Sequence, residues 1–152
     1  MASNVADPAK VFNFIIEING VDSWAVQEFT PPELSIEAVA HGGANSDIKT
    51  AGRVSVGDAS FNYLKPLPTI TDEAYDWFKR AQDIQRGGGQ LSSVYKKIAV
   101  VRELYPDNVK TAGRWILTGA WVSGISQNAF SRTSSDNILR SVTLTVDDVE
   151  IR

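Results

Sequence analysis

The chain has 152 residues, 43% hydrophobic and 22% charged, with a formal net charge of −3. That is enough for one domain with a sizeable core, and too acidic for a protein that grips phosphate backbone through a basic patch. It has no cysteine, which excludes disulfides, thiolate metal sites and cysteine nucleophiles, and one histidine, His41, which excludes a multi-histidine metal centre.

Residues 1–10 are small and polar and read as an N-terminal arm, with residues 11–152 as a single domain. Met1 to Lys10 lacks the charged and apolar regions of a secretory signal, and no apolar run reaches the ~20 residues of a membrane span. A soluble protein made in the cytosol is expected. Val11 to Ile18 is a predicted strand, with Phe12, Phe14, Ile16 and Ile18 on one face. Asn19-Gly20 is a two-residue hairpin signal, so Ser23 to Phe29 is expected to return beside that strand until Pro31-Pro32 ends it.

Glu33 to Val39 alternates, with Leu34, Ile36 and Ala38 opposite Glu33, Ser35 and Glu37, as in a half-buried strand with an acidic outer face. Residues 41–52 (HGGANSDIKTAG) are rich in glycine and polar side chains and read as a long loop; loops of this length are commonly functional or ordered by a partner. Arg53 to Tyr63 is a strand with a bend near Gly57-Asp58. After Pro66 and Pro68 comes the one predicted helix, Asp72 to about Gln85. Thr71 suits its N-cap, Asp72 and Glu73 suit the positive end of its dipole, and Ala74, Trp77, Phe78 and Ala81 form one apolar stripe. Gly87 to Gly89 stop it.

Three more strands follow: Val94 to Leu104, Arg114 to Val122 and, after a small polar stretch from Ser123 to Asn137, Ile138 to Ile151. In the last, Val142, Leu144 and Val146 alternate with Ser141, Thr143, Thr145 and Asp147. The pattern is mainly β: an antiparallel β-barrel or sandwich with one flanking α-helix.

No residue cluster with specific chemistry emerges. Gly43 to Thr50 approaches a phosphate-binding loop, but Ile48 stands where that loop needs a glycine, and no helix pattern follows Lys49-Thr50. His41 has no nucleophile elbow to serve, because G-x-S-x-G is absent. Glu33 with Glu37, and Asp147 with Asp148, lack calcium-loop spacing and read as solvated or interface carboxylates. Trp77, Trp115 and Trp121 read as core, and Trp24 fits core or interface equally. No catalytic residue, cofactor or metal is expected, and the chain does not read as an enzyme; a small enzyme or carbohydrate-binding β domain is the weaker alternative. An arm, a long glycine-bearing loop and strands with two occupied faces suit a protein that builds an assembly.

The order of motifs is a further signal. The chain opens with F-x-F-x-I-x-I-x-G-V at Phe12 to Val21. It continues with ELSIEAVAHGG into His41-Gly42-Gly43 and a polar loop ending at Gly52-Arg53. Then come TDEAYDWFKRAQD, RWILTGAWVSGIS and SVTLTVDDVEI. From about Val11 to Ile151 this resembles the tail tube proteins of contractile-tailed bacteriophages, which are similar to the inner-tube proteins of type VI secretion systems. The resemblance implies a tail-tube-like β-barrel with a flanking helix, assembled as a homo-hexamer whose rings stack into a hollow tube.

It further implies a sheath protein outside, a tape-measure protein and then DNA in the lumen, and baseplate and tail-terminator proteins at the ends. The tube would be a conduit for genome ejection in the virion tail, assembled in the host cytoplasm without membrane insertion by this chain. The alternative is the tube of a type VI or other contractile injection system. The family's long interface loop falls on His41, Gly42, Gly43, Asn45, Asp47, Lys49, Gly52 and Arg53. A lumen that passes DNA should not bind it. On alternation, the lumen-facing candidates are Glu33, Ser35, Glu37, Thr143, Thr145 and Asp147.

Overall fold

A computed structural model describes residues 13–21, 25–43, 45–65, 72–82 and 87–152. The N-terminal arm, Trp24, Pro66, Pro68 and the expected Thr71 cap lie outside the described residues. Among them the order is β1 (Phe14–Glu17), β2 (Val26–Thr30), β3 (Leu34–Gly42), β4 (Asp47–Val56), β5 (Ala59–Leu64), α1 (Glu73–Ala81), α2 (Ser92–Tyr95), β6 (Lys97–Leu104), β7 (Thr111–Gln127), β8 (Leu139–Thr145) and β9 (Asp148–Ile151).

Seven strands form one sheet in the order β1-β6-β7-β8-β5-β2, with β9 also on β7, and all of its pairings are antiparallel. The strand β7 joins two halves. Between Thr111 and Ala120 it pairs with β6, and over Trp115 to Thr118 also with β9. From Trp121 to Gln127 it pairs with β8. The chain bends between the halves at Gly119, where φ is 68°. A side chain there would strain the backbone and drive its Cβ into the Asp147 carboxylate. The terminal segment expected as one strand is therefore two, β8 and β9, parted at Val146-Asp147 where the Asp147 amide still donates to the Thr118 carbonyl (3.1 Å).

Folding at this bend brings apolar faces together. Ile16, Val101 and Leu117 come from one half, and Phe61, Val122, Val142 and Leu144 from the other. On β5, Ala59, Phe61 and Tyr63 are buried while Ser60 and Asn62 face out, the alternation that makes a strand legible. Each large buried side chain contributes roughly 1.5–3 kcal/mol by leaving water. The path ends at β1 and β2, which do not pair, so the seven-stranded sheet is open.

Three local expectations are corrected. Asn19-Gly20 does make a tight turn, with the Val21 amide on the Ile18 carbonyl (3.0 Å) and Gly20 at φ 88°. The strand after it, β2, pairs with β5 at the far edge and not with β1, where Val26 and Phe29 join the other half of the core. The helix stops at Ala81, with Gln82 extended, well short of the glycine tract. Asp72 is its N-cap and accepts from the Tyr75 amide. Val94 and Tyr95, read as the start of the strand Val94 to Leu104, belong instead to the short helix α2, and Trp77 Nε1 donates to the Tyr95 carbonyl across to it.

Charges fasten α1 to the body. Glu73 meets Arg80 (2.6 Å) and Lys97 (3.0 Å), and the Lys97 ammonium also lies 4.9 Å from the centre of the Trp77 ring. Burial alone would raise the Glu73 carboxyl, but hydrogen bonds from Lys97 and Arg80 outweigh it and hold the group below its ordinary value. At the same end of the helix Arg140 pairs with the N-cap Asp72 (2.5 Å), which also accepts from the Tyr63 hydroxyl (2.9 Å). Burial, aided by the Asp72 carboxylate and opposed by Arg140, pushes Tyr63 up to about 12.

An alkaline signature follows. The folded protein holds the Tyr63 proton more tightly than the unfolded chain, whose phenol titrates near 10.0. This contribution to stability is complete below about pH 10 and is lost as pH rises toward about 12. Urea midpoints measured across that window are expected to fall less steeply for Tyr63→Phe than for the natural chain.

Candidate assembly surfaces

Two surfaces stand out among the described residues. The first is the hairpin of β3 and β4, which pair with each other and, among the described residues, with no other strand. The hairpin prolongs β2 and β5. Only Pro31 to Glu33 on one side and Gly57-Asp58 on the other intervene, and the Gly57 amide donates to the Glu33 carbonyl (2.8 Å) across the gap.

The interface candidates all lie on this hairpin, from its tip to the irregularity opposite Glu37. His41 and Gly42 end β3, Gly43 and Asn45 form the tip with the Gly43 amide on the Ser46 carbonyl (3.1 Å), and Asp47, Lys49, Gly52 and Arg53 belong to β4. The long loop expected over residues 41–52 is thus corrected to two strand segments and a tight tip. The expectation failed for a physical reason. Backbone hydrogen bonds hold this ladder, and neither strand buries a face, so its residues need not alternate in polarity.

Both hairpin faces carry exposed apolar side chains. Ile36 and Val54 stand directly opposite each other, 61% and 63% exposed, beside Leu34. On the other face Val39 lies opposite Thr50, and Ile48, 64% exposed, lies opposite His41. The His41 Nε2 sits 3.2 Å from the Thr50 hydroxyl. Leu34 and Ile36 read in the sequence as the inner side of a half-buried strand, and their exposure is what the sequence did not show. Exposed apolar side chains clustered in this way are uncommon on a lone subunit.

The second surface is the outer face of β2-β5-β8-β7. It displays Thr30, Ser60, Asn62, Ser141, Thr143 and Ser126 on neighbouring strands. The Ser141 hydroxyl donates to Asn62 Oδ1 (2.7 Å), and Ser123 to the Thr143 carbonyl (3.3 Å). Leu64 and Leu139 pair at one end of this face, and Glu28 sits on its β2 flank.

The lumen candidates do not share one wall. Glu33 precedes β3, and Ser35 and Glu37 sit on it. Thr143 and Thr145 lie on the outer face of β8, alternating with buried Val142, Leu144 and Val146. Asp147 stands at the bend in an ion pair with Lys96 (2.7 Å). The two alternating stretches that looked like one surface belong to separate sheets. Among the described residues no group of three or more His, Cys, Asp and Glu side chains is placed to hold a metal ion, and no helix is long and apolar enough to cross a membrane.

The profile of the family described as T4-like virus tail tube protein gp19 matches residues 10–150. The chain belongs to that family. It is a structural tube component, mainly β, with antiparallel sheets. No curated protein matches it by sequence.

Solved structures share the tail tube fold. A chain in the structure of the anti-feeding prophage cap, its tube-terminating cap, superposes with a TM-score of 0.82 at 16% identity, over 100% of this chain and 95% of that one. A chain in the sheath–tube complex of an extracellular contractile injection system in its extended state gives 0.77 at 18% identity, over 100% and 99%. Hcp1 from Flavobacterium johnsoniae gives 0.57 at 13% identity, over 91% and 93%. At these identities the likeness is one of fold.

Proposed function

We propose that this tail tube family member forms hexameric rings that stack into the inner tube of a contractile phage tail, a conduit for genome ejection. The observation that supports it best is the β3–β4 hairpin, which exposes apolar side chains on both faces and, among the described residues, pairs with no other strand. A neighbouring copy would cover it, with His41, Gly42, Gly43, Asn45, Asp47, Lys49, Gly52 and Arg53 in the contact.

The sheet edges fit the same reading. Strand direction alternates across β2-β5-β8-β7, and among the described residues neither β2 nor the Trp121–Gln127 part of β7 has a strand on its outer side. The β7 edge of one copy therefore suits an antiparallel join to the β2 edge of the next, a head-to-tail contact that closes as a ring. Thr143 and Thr145 would then face the lumen. In this reading the sheath lies outside, the tape-measure protein and then DNA lie inside, and baseplate and terminator cap the ends. The tube belongs to the virion tail, is assembled in the host cytoplasm, and performs no reaction.

A second reading, the inner tube of a contractile injection system, has its own support: the anti-feeding prophage and extracellular injection-system structures superpose with the high TM-scores above. Negative-stain electron microscopy of the purified chain across a concentration series tests the assembly. Rings or hollow tubes of uniform width are expected. A monodisperse monomer at every concentration counts against both readings.

A further inference from the structure

We propose that the short helix α2 is the seat of the neighbouring copy's hairpin, with Leu91 and Val94 of one subunit covering Leu34, Ile36 and Val54 of the next. The proposal rests on the ring reading above, in which the free β7 edge joins the β2 edge of the next copy.

That free edge has a definite end. One flank of β7 is occupied by β9 and then by β8. The other is taken by β6 only as far as Ala120, which lies opposite Lys97, and among the described residues it is open from Trp121 onward. The chain enters β6 from α2, so α2 stands where the open edge begins. It is fixed there from two sides. Tyr95 packs against the core while its carbonyl accepts from Trp77 Nε1, and its ring meets the Trp121 ring edge-on at 5.7 Å.

What α2 presents at this place is apolar and unused. None of its own residues is buried, and its sequence, SSVY, carries no charge. Leu91, at its N-cap, is 77% exposed. Val94, whose amide donates to the Leu91 carbonyl (2.9 Å), is 51% exposed. The cations that follow are engaged elsewhere, Lys96 with Asp147 and Lys97 with Glu73. One helical turn has no stability of its own, so the anchors at Tyr95 hold this surface in place.

Strand polarity delivers the hairpin to it. Laid antiparallel on Trp121–Gln127, the Val26–Thr30 strand of the next copy ends at the Trp121 end. Its chain then passes through Pro31-Pro32 into the hairpin, whose root pairs Leu34 with Val56 and Ile36 with Val54 on one face. Val56 packs against its own core, so this apolar row starts in the core and runs out through Leu34, Ile36 and Val54 into solvent. On the receiving copy a second row starts at Tyr95 and runs out through Val94 and Leu91. Two apolar rows, each rooted in its own core, meet where the edge ends. Neither contains a charge that would have to be desolvated unpaired.

The chain has no cysteine, so an introduced pair reports alone. Rings of Val94→Cys with Val54→Cys, seen by negative-stain microscopy and then oxidised, are expected to run as a ladder of linked copies on a denaturing gel without reductant. The linked yield should exceed that of Ala112→Cys with Val54→Cys by at least ~10-fold, because a disulfide closes only when the two Cβ atoms come within about 4.5 Å. Ala112 is exposed and lies at the opposite end of the β6–β7 ladder from α2. Leu91→Cys with Ile36→Cys is the second pair. Leu91→Asp with Val94→Asp is expected to lose rings and tubes with its melting temperature unchanged, since neither side chain is buried.

Rings that link no better through either pair than through the Ala112 control overturn the proposal and leave the ring reading standing. A folded double aspartate variant that still closes rings does the same. Absence of rings and tubes from the natural chain at every concentration is a separate failure, which removes the ring reading itself.

Discussion

Replacing both Ile36 and Val54 with aspartate is expected to abolish rings and tubes while leaving the subunit folded. The two side chains face each other on the hairpin, outside the core, and are 61% and 63% exposed. Their loss removes nothing the lone subunit uses, so its melting temperature should stay within a few degrees of the parent. In an assembly both would be buried, and two carboxylates would have to be desolvated beside each other. The loss is at least ~3 kcal/mol per interface, roughly a 100-fold fall in the association constant. Sedimentation velocity reports the assembly and circular dichroism the fold. A double variant that melts normally and still builds tubes would place the contact elsewhere on the chain.

Trp77→Ala is expected to act in the opposite way, on the subunit before the assembly. The indole is fully buried, donates to the Tyr95 carbonyl and lies beneath the Lys97 ammonium. Truncation leaves a cavity, removes the anchor between α1 and α2, and leaves the Lys97–Glu73 pair without its apolar floor. Large aromatic deletions of this kind cost ~3–5 kcal/mol. For a domain of this size that is roughly 6–20 °C in melting temperature. Trp77→Phe should recover part of the loss, because a ring is kept while the indole hydrogen bond is not. A Trp77→Ala protein that melts with the parent would mean that α1 contributes little to the fold.

The parts of the fold that were legible are those where one face of an element is buried. Phe61 and Tyr63 against Ser60 and Asn62, or Val142 and Leu144 against Thr143, wrote their strands plainly, and Ala74 with Trp77 wrote the helix. Where burial is absent or divided, the signal vanished. Asp47 to Gly52 read as loop because β4 is exposed on both faces. Ser123 to Gln127 read as a polar connector because that end of β7 mixes a hydroxyl face with a free edge.

Long-range pairing was equally silent. A turn at Asn19-Gly20 points to a local return, yet β2 finds its partner in β5. The same physics explains the site. The residues around His41 could be singled out as a segment, but the apolar pair Ile36–Val54, and Val39 beside Ile48 on the other face, appear only once the hairpin register is known. The likeness of Glu37 to Thr143 in alternation concealed that they belong to different sheets.

The hairpin prolongs the β2 and β5 strands with only short interruptions, stitched by the Gly57 amide on the Glu33 carbonyl. It is therefore a lever whose shaft is the sheet itself. A pull on its tip runs along the ribbon and loads the cross-strand hydrogen bonds side by side in shear, instead of opening them one after another from the end. A subunit gripped there would pass axial force straight into the strands that bear the hydroxyl face. Traction between copies and the shape of the passage would then be governed by the same few backbone bonds.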